Sequence, residues 1–590
     1  MRDWIKASKA VRLNTMAALA CAIVVGALLF WNAWTFAYVF WIGTSPLPFA
    51  DQWDASLFPD ETIRNLFAQH NEHRPAWGRL VGLLDWYLAD ARNGVNAAFI
   101  AVCYPVFGLT LFKLVNTIVA DWRRAAVFAG LASAIIVSVA QWENMLWGFQ
   151  SHFVGSFVFA LLALSFAARA APPSQSPRRK TANVLLCLFA SFFAVFSLAS
   201  GLLVLPFVAA LFFILGASPR LKYGYIVFAI AAFGIYFYGY AIPSQHANPL
   251  TSLRGVWAAG DFTLAYVGSP FARGDPHVAR AVGAAGLLAL IVLIANAVII
   301  LAREPRLLQE PKGAADLVLL MFAVFIFCTG GVTALGRVID FGIEGALAFR
   351  YATPAVFFWA CLLAACLVQP HLRRSGSSRI LCWGGAVLGV ALGATVAFQQ
   401  RAYVASMYNK RADRFNAAIA YLLGIRNQPV VFHLYPQAAV LAGHLDEPFQ
   451  RLQRARKSIF TDDWAARLGT PLREWKPDLS SACRGAIDRR ALVPDQATAI
   501  SELAGWAWDD ERRRVPDLIA FTDPRGLLIG FAAPGFRRVD VREQLSAVTS
   551  SASGWNGFVR ADQTVTIHAY GVMLGRSNRA CQFATSSSSQ

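Results

Sequence analysis

Between Phe49 and Tyr87 the chain gathers residue types that move protons and hold anions. The stretch opens Phe49-Ala-Asp51-Gln-Trp53-Asp54 and continues Phe67-Ala-Gln69-His70-Asn71-Glu72-His73-Arg74-Pro75. A carboxylate such as Asp51 or Asp54 can act as general base toward an acceptor hydroxyl. The plain alternative is a solvated loop acid or an N-cap for the next helix. The aromatic residues beside both acids favour a functional role. His70, Glu72, His73 and Arg74 form the densest ionisable cluster of the first four hundred residues. Imidazole and carboxylate are metal-ligand types, so a divalent metal is one reading. The spacing of His70 and His73, with Pro75 just behind, matches no recognised zinc pattern. Binding of phosphate or sugar hydroxyls by this cluster is the stronger reading, beside that of a polar turn.

Two more places carry charge next to apolar sequence. Gln141-Trp142-Glu143-Asn144-Met-Leu-Trp147 sets one acid among tryptophans. Close to a bilayer such a carboxylate is costly unless it has a task; the alternative is an aromatic interfacial belt with one polar residue. The segment Gly336-Arg337 to Arg350-Tyr351 carries two arginines, whose planar fork of donors suits phosphate. Snorkelling at a lipid interface is the competing account of Arg337 and Arg350.

The elements that must position these groups are apolar. Of the 590 residues 56% are hydrophobic and 15% charged, against roughly 25% charged in soluble chains, and the mean hydropathy is +0.46. A helix needs about 20 apolar residues to cross a bilayer. Eleven runs qualify or nearly so: 16–42, 95–119, 125–141, 151–168, 181–198, 201–217, 223–242, 281–302, 315–335, 352–369 and 380–398. The stretch from Leu13 to Ala50 has no charge; it is too long for a cleaved leader and reads as an anchor. With a cytoplasmic N-terminus, the inside segments hold 18 Lys and Arg and the outside loops nine, all Arg. That asymmetry fits the positive-inside rule, and an odd number of spans places 401–590 outside. The formal charge of +18 follows from the same rule, so no nucleic-acid partner is expected.

The expected organisation is a transmembrane part, 1–400, with a large first external loop at 43–94. Helix-compatible stretches at 61–69 and 76–91 would lie on the membrane surface. The segment 262–271 is too short to cross and reads as re-entrant or interfacial. From Arg401 the composition becomes that of a soluble domain, 401–584, with a Ser-rich disordered tail at 585–590. An amphipathic helix is expected at 402–423, a strand at 430–435 and a helix at 437–445. Leu518–Thr522, the turn Asp523-Pro-Arg-Gly526 and Leu527–Phe531 read as a hairpin, and Val565–Leu574 as a further strand. Short strands with Gly- and Trp-rich turns suggest a β-sandwich-like part within an α+β domain. Trp506, Trp508 and Trp555 can stack on sugar rings or fill a core. Seven of nine cysteines lie in apolar runs; Cys483 and Cys581 are the only two of this domain, a plausible disulfide in an oxidising compartment.

Ala50-Asp51-Gln-Trp-Asp54, the helices at 61–91 and Glu143 together resemble the GT-C-type integral membrane glycosyltransferases, which use polyprenyl-phosphate-linked sugars. The likeness covers roughly residues 13–400. Gln69–Arg74 and Trp142-Glu-Asn144 also resemble stretches of uncharacterised bacterial multi-spanning membrane proteins. The resemblance implies Asp51 as catalytic base, with Asp54 and Glu143 as further acids of the site. It implies that Arg337 and Arg350 face a lipid phosphate; His70, Glu72, His73 and Arg74 are expected from their own side-chain types to bind substrate. The expected function is sugar transfer from a polyprenyl-phosphate donor to a cell-envelope glycan or lipid, on the periplasmic face of a bacterial inner membrane. The chain departs from the family in having Asp-x-x-Asp rather than an adjacent acid pair, and it lacks the Trp-Trp-Asp signature of oligosaccharyltransferases. A transporter or flippase for lipid-linked sugars is the alternative, as is a non-catalytic membrane protein with a glycan-binding external domain. A transporter would place ionisable residues inside its spans; the runs above hold almost none, with Lys113 and His152 near their ends.

Overall fold

The computed structural model describes residues 2–55, 63–172, 175–242, 255–372, 379–475, 483–575 and 579–586. A helix stands at each of the eleven expected span positions, from Arg2–Gly43 to Arg379–Met407. Seven of the described helices are by themselves long and apolar enough to cross a membrane. An eighth results if Trp122–Ile136 and Val139–Leu146, bent by 42° at their junction, count as one. Two others are marginal for visible reasons. Pro177–Val195 begins with Arg178, Arg179 and Lys180, and the apolar helix Ala199–Ile214 is short. The protein is thus a multi-pass membrane protein.

Helix starts follow local chemistry. Asp121 caps Trp122–Ile136 by accepting from the Arg123 and Arg124 amides, and Asp275 does the same for His277 and Val278. Proline occupies the first helical position at Pro177, Pro219, Pro276 and Pro311, where its missing N–H costs nothing. Ser151–Ala170 and Ala352–Val368 are buried almost throughout and form the centre of the bundle. Pro219–Phe237 exposes most of its apolar surface, as a helix facing lipid does. Of the segment 262–271, expected to be re-entrant or interfacial, 262–268 belong to the helix Val256–Gly268 and Ser269–Phe271 form a 3-10 turn; the helix packs closely against its successor Pro276–Arg303. Gly268 and Gly283 make this possible: a Cβ on either would collide with a backbone carbonyl of the other helix.

In the loop between the first two spans, helices form at Gln52–Ala55, Ile63–Leu66 and Ala76–Leu88; residues 61–62 of the expected stretch lie outside the described part. Of the amphipathic helix expected at 402–423, Lys410–Leu422 forms, while 402–407 end the preceding helix Arg379–Met407. The segment 430–435 is a 3-10 helix, Pro429–His433, instead of a strand. Proline at its head sets a helical φ. The following helix stops at Leu441, and Gly443 then adopts φ +77°.

The C-terminal β part is antiparallel throughout: β1 Cys483–Leu492, β2 Ser501–Asp509, β3 Leu518–Thr522, β4 Leu528–Phe536, β5 Gly554–Val559, β6 Ile567–Met573 and β7 Arg579–Ser586. It is one seven-stranded sheet, ordered β1-β2-β5-β4-β3-β6-β7, rather than two facing sheets. A sandwich and a rolled sheet share the same strand lengths and alternation, so the sequence pattern does not separate them. The β3–β4 hairpin forms where expected: Asp523 Oδ1 accepts from the Arg525 and Leu527 amides at 2.9 Å, and Gly526 takes φ +80°. Both faces are buried. Leu518, Ala520 and Phe531 pack toward the helices of 417–465, while Ile519, Phe521 and Trp555 fill the other side. A disulfide between Cys483 and Cys581, with Cα atoms 5.5 Å apart, ties β1 to β7, the two edge strands. Of the tail 585–590, Thr585 and Ser586 end β7 and the remainder lies outside the described residues.

This C-terminal part sits on the loop 43–94. Trp53 is 2% exposed, packs on Phe449 with ring centroids 6.2 Å apart, and donates from Nε1 to the Leu434 carbonyl at 3.2 Å. The Ala50 amide reaches the same carbonyl at 2.9 Å. Lys457 Nζ pairs with Asp90 at 2.6 Å, and the Ser458 amide donates to the Asp90 carbonyl at 2.7 Å. Truncating a buried Trp costs about 3–5 kcal/mol. Trp53→Ala should therefore lower the thermal midpoint and open the chain near Met407 to protease, measured on detergent-solubilised protein; wild-type resistance in the variant would refute the contact's importance.

Candidate functional site

The loop 43–94 is pinned before it presents any chemistry. Buried Arg74 donates to the carbonyls of Tyr236 and Tyr238 at 2.6 Å and of Phe67 at 2.7 Å. It satisfies the end of helix Pro219–Phe237 much as basic residues cap helix C-termini. Directly before it, His70 and His73 exchange two backbone hydrogen bonds, at 2.8 and 2.9 Å, around a turn in which Asn71 takes φ +50°. Asn tolerates that conformation well. The turn places His70, Glu72 and His73 on one wall of a cavity of about 600 Å³.

Asp51, His70, Glu72, His73, Arg337 and Arg350 all line this cavity. His70 Nε2 stands 3.8 Å from Asp51 Oδ2. Burial pushes the Asp51 carboxyl up, but hydrogen bonding and charge from His70, with Arg350 and His152 behind it, hold it below the ordinary carboxylate value. Glu72 Oε1 accepts from Arg337 Nη2 at 3.0 Å and lies 3.5 Å from His73 Nε2. His73 Nδ1 accepts the Ala199 amide proton at 3.0 Å, so the neutral ring carries its proton on Nε2, toward Glu72. The structure thus gives each cation of the wall a carboxylate neighbour.

Three expected site residues stand elsewhere. Glu143 is behind the wall: it accepts from Arg350 Nη1 at 3.1 Å and from the Arg350 amide at 3.2 Å, fixing the guanidinium in place. Its neighbour Asn144 donates to the Arg350 carbonyl and to Thr353, both at 2.6 Å. Asp54 faces away from the cavity and is held by the Tyr435 hydroxyl. Arg74 is occupied by carbonyls, as described. Among the described residues no group of three or more His, Cys, Asp or Glu is placed to hold a metal ion.

The sequence reading missed the polar residues that the bundle itself sends into the cavity: Trp147, Gln150, Ser200, Tyr266, Thr329 and Thr333. They are uncharged and sit singly in or beside apolar helices. The available signal was an isolated polar residue within a span, which marks a helix face turned inward. Much of the remaining lining is apolar. Phe237, Ile242 and Val332 line the cavity and are themselves exposed, so an apolar part of its lining reaches the surface of the described bundle.

No family model and no curated protein matches this chain. Among solved structures, it is similar to the Archaeoglobus fulgidus oligosaccharyltransferase in complex with Zn and sulfate, at 15% identity and a TM-score of 0.38 over 72% of this chain and 56% of that one. It is similar also to AglB of the same organism in complex with an inhibitory peptide and a dolichol-phosphate, at 13% identity and a TM-score of 0.31, covering 72% and 60%. This chain therefore spans less than two thirds of either protein.

Proposed function

We propose that the protein is a glycosyltransferase of the bacterial inner membrane, with a GT-C-like transmembrane unit at 1–400 and a periplasmic domain at 401–584. It transfers a sugar from a polyprenyl-phosphate donor to a glycan or lipid of the cell envelope. The observation that carries this reading is the cavity's two-sided character. Its polar lining holds two carboxylates and two arginines; much of the rest is apolar and includes residues exposed on the outer surface of the bundle. An amphiphile with a phosphate head fits both kinds of lining.

In this mechanism Asp51 removes the proton from an acceptor hydroxyl as its oxygen attacks the anomeric carbon. The bond from that carbon to the phosphate oxygen breaks, and the lipid phosphate leaves with the electron pair. Arg350, held by Glu143, and Arg337, held by Glu72, offset the charge that develops on it. His70, beside Asp51, orients the base. Glu143 and Glu72 are positioning residues, since each acts through an arginine.

The test is chemical. Envelope glycans from a strain lacking this chain should miss one sugar, restored by the wild-type chain. Membranes with the chain should move label from a polyprenyl-phosphate sugar into an envelope acceptor. A reporter fused after Gln400 should read as periplasmic. Unchanged glycans together with no label transfer would overturn the enzymatic reading.

A further inference from the structure

The helix Lys410–Leu422 of the C-terminal part meets the bundle through two cations. Lys410 and Arg414 stand four residues apart and so share a helix face. Opposite them is the short helix Trp142–Leu146, whose two ends have the same spacing. Lys410 Nζ lies 5.2 Å from the centroid of the Trp142 ring, and Arg414 Nη1 donates to the Leu146 carbonyl at 3.1 Å. One cation thus holds each end, and Arg414 supplies a donor to a carbonyl that a helix C-terminus leaves open. The Arg414 guanidinium also covers the Phe49 ring, with Cζ 4.3 Å from its centroid, and Phe49 meets Trp147 edge-on at 5.4 Å.

Arg414 is an unfavourable residue to bury. It is 5% exposed and forms no salt bridge among the described residues. Burial lowers its guanidinium to about 10, with Asp413 opposing, so it is still charged at neutral pH. A buried charge without a close partner destabilises, and an apolar side chain of similar volume would pack there at less cost. Stability alone therefore does not account for an arginine at this position. What the held segment carries does. Glu143 and Asn144 bind Arg350 at its guanidinium, its amide and its carbonyl. Trp142, beneath Lys410, packs on Phe349 beside Arg350, with ring centroids 5.2 Å apart.

We propose that Arg414 is a positioning residue of the site: from the C-terminal domain it fixes the segment Trp142–Leu146, and through Glu143 and Asn144 it sets Arg350 against the donor phosphate. The proposal rests on the reading of the cavity as a lipid-phosphate site. A guanidinium holds phosphate through paired, directional bonds, so a tilted Arg350 loses more than its distance from the charge would suggest. The grip on the lipid phosphate then depends on a docked C-terminal domain.

The test reads binding of polyprenyl phosphate by the full chain in lipid nanodiscs, because sugar transfer would also report on Asp51 through Phe49. Arg350→Ala should weaken binding about ten-fold or more. Arg414→Met keeps the length of the side chain and suits the buried surroundings; it should weaken binding about five-fold or more. In the Arg350→Ala background, Arg414→Met should change binding by less than about two-fold, since Arg414 acts through Arg350. A merely structural role would weaken both backgrounds alike. Should the Met variant fail to fold, Arg414→Lys, which keeps the charge without the fork, should show the same pattern with a smaller loss. Wild-type binding by the Arg414 variants, or losses that multiply in the double variant, overturns the positioning role and leaves the lipid-phosphate reading standing. Failure of the wild-type chain to bind polyprenyl phosphate overturns that reading, and the positioning role with it.

Discussion

Asp51→Asn should lower sugar transfer about 10²–10⁴-fold, the range for loss of a general base. The amide keeps the size and polarity of the side chain but takes no proton. The contrast with Asp54→Asn is the sharp part of the expectation. Asp54 is nearly adjacent in sequence, yet it bonds to Tyr435 outside the cavity, so its amide variant should retain transfer within a few-fold. The pH profile adds a sign. Since Asp51 titrates below its ordinary value, its acid limb should fall below about pH 3.9. The same shift makes its interaction with His70 and Arg350 stabilising above the unfolded pKa and lost as pH falls through the folded one. The measurement is label transfer by membranes carrying equal amounts of each variant. Transfer by Asp51→Asn at wild-type rate would remove Asp51 from the mechanism and leave Glu72 as the next acid on the cavity wall.

The second large effect is structural. Replacing Cys483 and Cys581 by serine opens a covalent loop of 98 residues, which the chain-entropy model values at about 4.7 kcal/mol for a loop near 100 residues. For a marginally stable domain this is a large fraction of the total. The bond joins the edge strands β1 and β7, so its loss releases both edges of the rolled sheet at once. The double variant should show a lower thermal midpoint and protease cleavage within 483–586, and wild-type protein in reductant should behave the same way. Non-reducing mass spectrometry gives the direct check, and two free thiols in protein from an oxidising compartment would contradict the bond.

What was legible in the sequence divides by range of interaction. Apolar runs are local, and helices stand where they predicted, including the positions near 181–198 and 201–217 that are weak by length or charge. The β3–β4 hairpin was legible because Asp523 and Gly526 specify their turn within four residues. The segment 430–435 misled because Val430, Val431 and Phe432 suit a strand, but Pro429 heads the segment and starts a 3-10 helix there. The candidate site was legible where it is charged. Asp51, His70, Glu72, His73, Arg337 and Arg350 do meet in one cavity, although Arg350 comes 299 residues after Asp51 in the chain. What could not be read was direction. Arg74 and Asp54 look as functional in sequence as their neighbours; only the carbonyls of Tyr236 and Tyr238 and the hydroxyl of Tyr435 reveal how they are used. The neutral polar residues from distant helices carried no sequence signal of their convergence.

The bond from the Ala50 amide to the Leu434 carbonyl also has a meaning in time. Trp53 and Leu434 are 381 residues apart, and chains grow at about 5–20 residues per second. The backbone next to Asp51 therefore waits about 20–80 s for the residues that fix it. During that interval most of the later spans enter the membrane, while the carboxylate has no settled position. The backbone beside the proposed base is braced only once residues near Leu434 have been made and docked, so a chain truncated before them should transfer less sugar than the full chain.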